Sequence, residues 1–463
     1  MFRSIVTTLG NCFKIPELKS RIGFTIMLLA VCRLTAFIVI PGIDGAKLAQ
    51  FFAEHSQGGL LVMYNTFAGG ATGNCALGAL GIMPYISATI IIQLLTAVWP
   101  KLSKLAREEG GRTQLVKYGR YLTVLLCIGQ GLYFAHGWLT PQASFQGFVG
   151  DLVVPGTNLF VYYFVTVTVM TTGTMLLMWL GEQITDRGIG NGVSLVITVG
   201  ILARLPNAVQ GAMDMFSTHG NTTEPQHNFW TTAPVLMALM ILVVGGVIAI
   251  TQAQRKIPVQ YAQRAVGRKV FAGGTSFMPL KVNYAGVMPI IFASAILMFP
   301  QTIFKYMANL AKPGGFRDVM TWLMNHLDQG APAYLILYSL MILFFSYFWV
   351  ATQFNELQIA DDLKKNGGYI PGVRPGQATS DYLHHAMTRI TLAGAIFLMI
   401  IAVIPTLLYR GLGVDMKVGQ FFGGTSMLII VGVMLDTMRQ VESHLLMRHY
   451  DGFLKKGRLK GRF

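Results

Sequence analysis

This 463-residue chain has little charge: only 12% of its residues are Asp, Glu, Lys or Arg, against about 25% in an ordinary soluble domain. Acid is the scarcer sign, 20 residues to 36, so the net charge is +16. Cysteine is rare. Cys12, Cys32, Cys75 and Cys127 show no metal-ligand spacing and read as unpaired thiols packed in or beside apolar runs. There is no GxxxxGK[ST] loop, so the chain is not expected to hydrolyse nucleotide. HExxH and GxSxG are also missing, which removes zinc-protease and serine-hydrolase chemistry. His384-His385 has no nearby Cys, and Asp415 in the GLGVD string reads as a solvated loop residue. No cofactor or metal is expected. Ionisable groups inside apolar runs are nearly absent, which counts against an ion-coupled transporter.

What the chain has instead is apolar sequence, 53% of it, gathered into ten runs. They lie near 22–41, 75–98, 116–136, 159–180, 189–203, 233–253, 284–304, 333–354, 390–409 and 421–435. Each is read as a crossing of roughly 30 Å of hydrocarbon. With the N-terminus placed in the cytoplasm, the inside segments hold 28 of the 36 Lys and Arg. That bias sets the orientation and puts both ends inside. Nucleic acid is a poor explanation of the basic charge, except that a ribosome could approach the basic face. The first run ends in Ile40-Pro41-Gly42 rather than a small-residue cleavage site, so it reads as span one and not a cleaved signal.

Ten spans divide into two sets of five around the polar outside loop 205–232. Five is odd, so the second set starts on the opposite side from the first. Two related halves would then be inverted repeats with a functional path between them near the midplane. Two inside loops, 253–283 and 355–389, exceed the usual loop length of about 12–15 residues and are expected to be ordered projections. The first carries Arg255, Lys256, Arg264, Arg268, Lys269 and Lys281 and no acid. The basic tail 448–463 fits an inside anchor near anionic lipid. The outside stretch Gly58–Asn74 is too short to span and too apolar for a solvent loop. A helix tucked back into the protein and a helix lying on the surface both fit it.

Arg33, about halfway through span one, either faces the protein interior or serves helix packing. In span two, Gly78, Gly81 and Pro84 weaken the helix. Ile82 and Ile86 share a face there, as Val193 and Ile197 do in span five. Both pairs fit ordinary core packing, and both fit an apolar constriction that shuts a pore by excluding water.

Several strings together resemble the SecY family, the channel subunit of the Sec protein translocase. They are Ile40–Asp44 (IPGID), Ala79–Thr96 (ALGIMPYISATIIIQLLT), Trp179–Gly192 (WLGEQITDRGIGNG), Arg255–Tyr261 (RKIPVQY), Pro279–Pro289 (PLKVNYAGVMP), Tyr369–Gly376 (YIPGVRPG) and Gly423–Ser426 (GGTS). They occur in family order over nearly the whole chain. The resemblance implies an all-α membrane protein: ten transmembrane helices in two inverted five-helix halves around an hourglass pore, with a plug and a lateral gate. The parts are a cytoplasmic segment 1–21, a first half 22–212, an external hinge loop 213–232, a second half 233–441 and a cytoplasmic tail 442–463.

By matched position the resemblance implies a pore ring of Ile82, Ile86, Val193, Ile197, Ile291 and Ile429. Valine at 193 departs from the common isoleucine. The plug, about 58–74, would include Leu60, Leu61, Met63, Tyr64, Phe67, Gly69 and Gly70. The lateral gate would include Ser87, Ile90, Ile91, Gln93, Asn283 and Pro289. Arg255, Lys256, Arg264, Arg268 and Arg374 look like docking groups for a ribosome or the SecA motor ATPase. Further implied partners are SecE-like and SecG-like small membrane subunits, signal sequences, nascent polypeptides and lipid. The implied location is the bacterial cytoplasmic membrane, and the implied role a passive protein-conducting channel. A secondary transporter or lipid scramblase for small substrates is the alternative, and a pore-free scaffold a third.

Overall fold

In hydrocarbon a bare backbone N–H or C=O finds no water, so spanning segments pair their backbone internally as helices. The computed structural model describes residues 15–54, 64–65, 67–108, 110–141, 148, 150–154, 156–216, 229–261, 264–266, 269–271, 274–310, 314–327, 331–412 and 425–456. The first-half helices are α1 (Pro16–Leu34), α2 (Gly45–Glu54), α3 (Met83–Val98), α4 (Pro100–Arg107), α5 (Gly111–Leu139), α6 (Leu159–Arg187), α7 (Gly192–Leu202) and α8 (Leu205–Phe216). The second-half helices are α9 (Phe229–Gln252), α10 (Met288–Leu310), α11 (Gly315–His326), α12 (Pro332–Gln353), α13 (Glu356–Lys365), α14 (Gln377–Leu412) and α15 (Thr425–Lys456).

Among the described residues six helices are long and apolar enough to cross a membrane, or seven when α3 and α4, bent by 105° at their junction, count as one. The other expected spans fall short for visible reasons. α1 carries Glu17, Lys19 and Arg21 near its start, α10 has a short apolar stretch at Met288–Leu297, and α15 runs on through Asp436, Arg439 and Glu442.

Packing exposes the internal repeat. In the first half α3 packs on α5, α5 on α6 and α6 on α7, while α1 lies against α6 and α7. The second half repeats this pattern: α10 on α12, α12 on α14 and α14 on α15, with α9 against α14 and α15. The two halves meet chiefly where α3 touches α10 and where α7 touches α15. One polar bond also crosses, from Gly190 N–H to Gln440 Oε1 at 2.8 Å.

The two long basic loops form one ordered platform. β1 (Gln254–Tyr261) pairs antiparallel with β4 (Thr275–Lys281), Arg255 opposite Leu280. Its other edge takes the short β5 (Gly368–Tyr369) from the second loop. Between them β2 (Arg264–Val266) and β3 (Lys269–Phe271) make a small hairpin. Ile257 of β1 and Leu280 of β4 bury themselves with Phe354, Ile370, Leu383 and Met387 in a separate apolar cluster. Among the described residues the strands are thus confined to these loops.

Close approach of α6 to the stretch before α3 depends on Gly173. A methyl added there would run into the carbonyl oxygen of Leu77. Next to it, the Thr174 hydroxyl donates to Gly81 O at 3.0 Å. Gly173→Ala is therefore expected to destabilise the protein by about 1–3 kcal/mol, whereas Gly129→Ala, with open space around it, should not. Thermal unfolding of the two variants in detergent checks this, and equal melting temperatures would refute the contact.

Candidate functional site

Residues 35–44 and 68–82 depart from helical geometry where helices surround them. α1 stops at Leu34, so Arg33 sits in its last turn and not at mid-span. A cation there is favoured by the helix dipole. The chain passes through α2, and α3 begins only at Met83. Apolar composition over 75–82 suggested a span, but Gly81 takes φ +59° and the segment is a series of turns.

Those turns are tied down by hydrogen bonds to nearby groups. Leu77 N–H donates to Ile38 O at 2.8 Å, Gly78 N–H to Thr35 O at 3.0 Å, and Ile40 N–H to Cys75 O at 3.0 Å. Asn65 Oδ1 accepts from Gly73 N–H at 2.9 Å. The Thr72 hydroxyl donates to Ala79 O at 2.6 Å, and Asn74 Nδ2 to Ala36 O at 3.1 Å. Arg33 Nη1 donates to Gly69 O at 3.1 Å, and its guanidinium lies 5.8 Å from the Phe37 ring. Gly69 has φ +65°, and a Cβ there would strike that guanidinium and Gly200 of α7. Glycine is required at 69 on both counts.

Tyr64, Phe67 and Ala71 are buried, so the described part of the outside stretch is tucked into the protein and does not lie on its surface. Tyr64 packs edge-on to Phe134 of α5, with centroids 5.2 Å apart. Leu60, Leu61 and Met63 lie outside the described residues.

The residues expected to form the pore ring lie in the main apolar core. Ile82 precedes α3 and Ile86 lies one turn into it; Ile197 is on α7, Ile291 on α10 and Ile429 on α15. All five are buried in one contiguous cluster, with Val193 of α7 half-buried against it. Four elements from both halves therefore contribute to it. Phe67, Ala68 and Gly81 join Ile82, Leu177, Val196 and Gly200 around a small cavity, about 20 Å³ of it open to the centre of a water molecule. Arg33 lines the same cavity. The segment and Ile82 thus line one cavity.

The remaining residues sit at three places. Ser87 and Ile90 are buried and Ile91 and Gln93 half-buried on α3, the helix that meets α10 across the halves. Pro289 is buried in the first turn of α10 and Asn283 is buried in the turn before it, where its Nδ2 donates to Gly286 O at 3.0 Å. Arg255 and Lys256 are exposed on β1, and Arg374 is exposed in the turn after β5. Arg264 opens β2 with its Cα opposite Phe271, and Arg268 lies outside the described residues. His384 Nδ1 lies 3.0 Å from Glu356 Oε1, a surface pair. Among the described residues no His, Cys, Asp and Glu cluster is suited to a metal ion. Asn65, Thr72, Asn74 and Gly200 were not singled out from sequence. Polar residues and paired glycines inside an apolar stretch are the signal that marks them.

A model of the SecY family matches residues 76–438. Protein translocase subunit SecY of Chlamydia muridarum (strain MoPn / Nigg) is 44% identical over 99% of this chain and 100% of that protein. Protein translocase subunit SecY of Escherichia coli (strain K12) is 43% identical over 96% of each. Among solved structures the chain is similar to a SecY whose plug domain is described as stabilising the closed state of the translocation channel and maintaining a membrane seal. The TM-score is 0.59 at 18% identity, over 95% of this chain and 94% of that one. That likeness concerns the fold.

Asn65→Leu removes the acceptor for Gly73 N–H. Hydrogen exchange of the 68–76 amides should rise by about tenfold, the equivalent of about 1.4 kcal/mol. Unchanged protection would remove Asn65 from its positioning role.

Proposed function

The chain belongs to the SecY family, and from that premise we infer that its buried waist is the seal of a protein-conducting channel. It is the central channel subunit that moves unfolded polypeptide across a membrane and releases apolar segments sideways into lipid. It is a channel and not an enzyme; nucleotide hydrolysis falls to a partner. The observation that carries the waist reading is that Ile82, Ile86, Val193, Ile197, Ile291 and Ile429 share one apolar cluster although they come from both halves.

A ring of branched apolar side chains offers water no hydrogen bonds, so a narrow waist of this kind closes to ions by dewetting. The same side chains change rotamer around a passing polypeptide of varying width. We assign the segment around Tyr64, Phe67, Gly69 and Gly70, with Leu60, Leu61 and Met63, as the plug above the ring. Its packing against Ile82 and Gly200 supports this reading. The lateral gate is assigned to α3 and α10, with Ser87, Ile90, Ile91, Gln93, Asn283 and Pro289. It is one of the two main places where the halves touch. An apolar segment leaving the pore there would enter lipid directly. A secondary transporter would need a polar site at the midplane, and the waist is apolar.

The platform with exposed Arg255, Lys256 and Arg374, and with Arg264 on its hairpin, is assigned, together with Arg268, as the footing for a ribosome or a SecA-like motor. Like charges on a rigid sheet raise the rate of encounter with an acidic partner. SecE-like and SecG-like small subunits complete the complex in this reading. The assigned location is the bacterial cytoplasmic membrane with both termini and the platform in the cytoplasm, which follows from the basic bias.

Two outcomes test these assignments. Ile82→Gly with Ile86→Gly, or deletion of residues 60–70, should raise resting ion conductance of the purified channel in planar bilayers. An ion-tight bilayer with both variants would return the waist to ordinary core packing. Arg374→Glu should abolish secretion while leaving membrane insertion normal, and secretion at the usual rate would remove Arg374 from the docking surface.

A further inference from the structure

Three short helices, α2, α8 and α11, lie in connections on the face opposite the basic platform. α2 covers its apolar side with protein: Leu48 is fully buried, and Phe51 packs edge-on to Phe148 with centroids 5.4 Å apart. α11 does not. None of its twelve residues is buried. It rests on α10 and α12 through half-buried Met320, Leu323 and Met324, while Phe316, Val319 and Trp322 stand 56%, 53% and 58% exposed. Spacings of three put those three on one stripe. Thr321, Asn325 and Asp318 lie on the opposite side of the helix.

We propose that this stripe of α11 is seated in lipid, at headgroup and upper acyl-chain level of the leaflet opposite the platform. Three observations select lipid over a second copy or another protein. α11 joins two helices that themselves expose apolar side chains, Ile303 on α10 and Ile336 on α12. Its composition is that of an interfacial helix: Phe316, Val319 and Trp322, with the His326 ring 4.1 Å from the indole, on one side, and Asp318, Thr321 and Asn325 on the other. Arg317 and Asp318 cancel in charge, so no acidic or basic protein surface is called for, and seating should be indifferent to the anionic lipid content. The consequence is mechanical. α10 touches α3 across the halves, and α11 would hold the far end of α10 at a set depth while the halves part. The placement needs only that the chain spans a membrane and stands apart from the pore assignment.

The test is fluorescence of the full chain in nanodiscs of phosphatidylcholine, read as wild type minus Trp322→Phe to isolate Trp322. Lipids brominated just below the headgroup should remove most of the Trp322 emission, lipids brominated near the chain ends less, and aqueous iodide little. Adding anionic lipid should change none of these. Iodide quenching without bromolipid quenching would put the helix in water and overturn the proposal. Protection from both quenchers would mean a protein covers it, which overturns the proposal equally. Trp322→Tyr supplies the same subtraction if Trp322→Phe fails to insert.

Discussion

Non-helical backbone among spanning helices is tolerable only when protein groups satisfy its hydrogen bonds, and residues 64–82 depend on that condition. Arg33, Thr35, Asn65, Thr72 and Asn74 supply donors and acceptors within this stretch or from the end of α1. The charged donor is Arg33, and a bond from a charged group is worth about 1.5–3 kcal/mol. Pairing it with Gly69 O clamps the turn beside α7. Because α3 starts late, at Met83, Ile82 and Ile86 reach the waist together with residues of three other helices.

Contrast governs how the molecule can move. Within the first half, directional bonds such as Thr174 to Gly81 fix the turns against α6. Across the waist the contact is apolar and has no preferred partner atom. Burying an isoleucine side chain is worth about 1.5–3 kcal/mol, yet a similar amount is recovered against any other apolar surface, including a passing polypeptide or lipid. Halves joined mainly through α3 with α10 and α7 with α15 part chiefly along packed helices, with the Gly190 N–H giving up its bond to Gln440. The repeated packing scheme places these two junctions so that both halves offer matching helices to the opening.

The platform obeys a different logic. Its strands lie outside the hydrocarbon, where Ile257 and Leu280 still need burial and find it against Phe354, Ile370 and Met387. That second core joins two loops separated by three helices in sequence. It holds Arg255, Lys256 and Arg374 on a surface that does not have to move with the waist.

Composition and periodicity were enough to read a chain of apolar spans alternating with polar loops, because that pattern follows from the cost of placing charge in hydrocarbon. The odd number of spans per half also argued for inversion without any visible repeat. Other features needed the folded chain. That 75–82 is a run of turns and not helix depends on Gly81 at positive φ and on bonds to Thr35 and Ile38, about 40 residues earlier. The alternation of Ile257 and Val259 is too short to announce a strand whose partners lie about 20 and 110 residues away. Arg33 could be seen as unusual and in need of a backbone carbonyl or water, but which carbonyl it meets could not, since a carbonyl carries no sequence signature. Local chemistry sets which residues avoid water; only the tertiary structure sets which of them meet, because that depends on long-range packing that no single window contains.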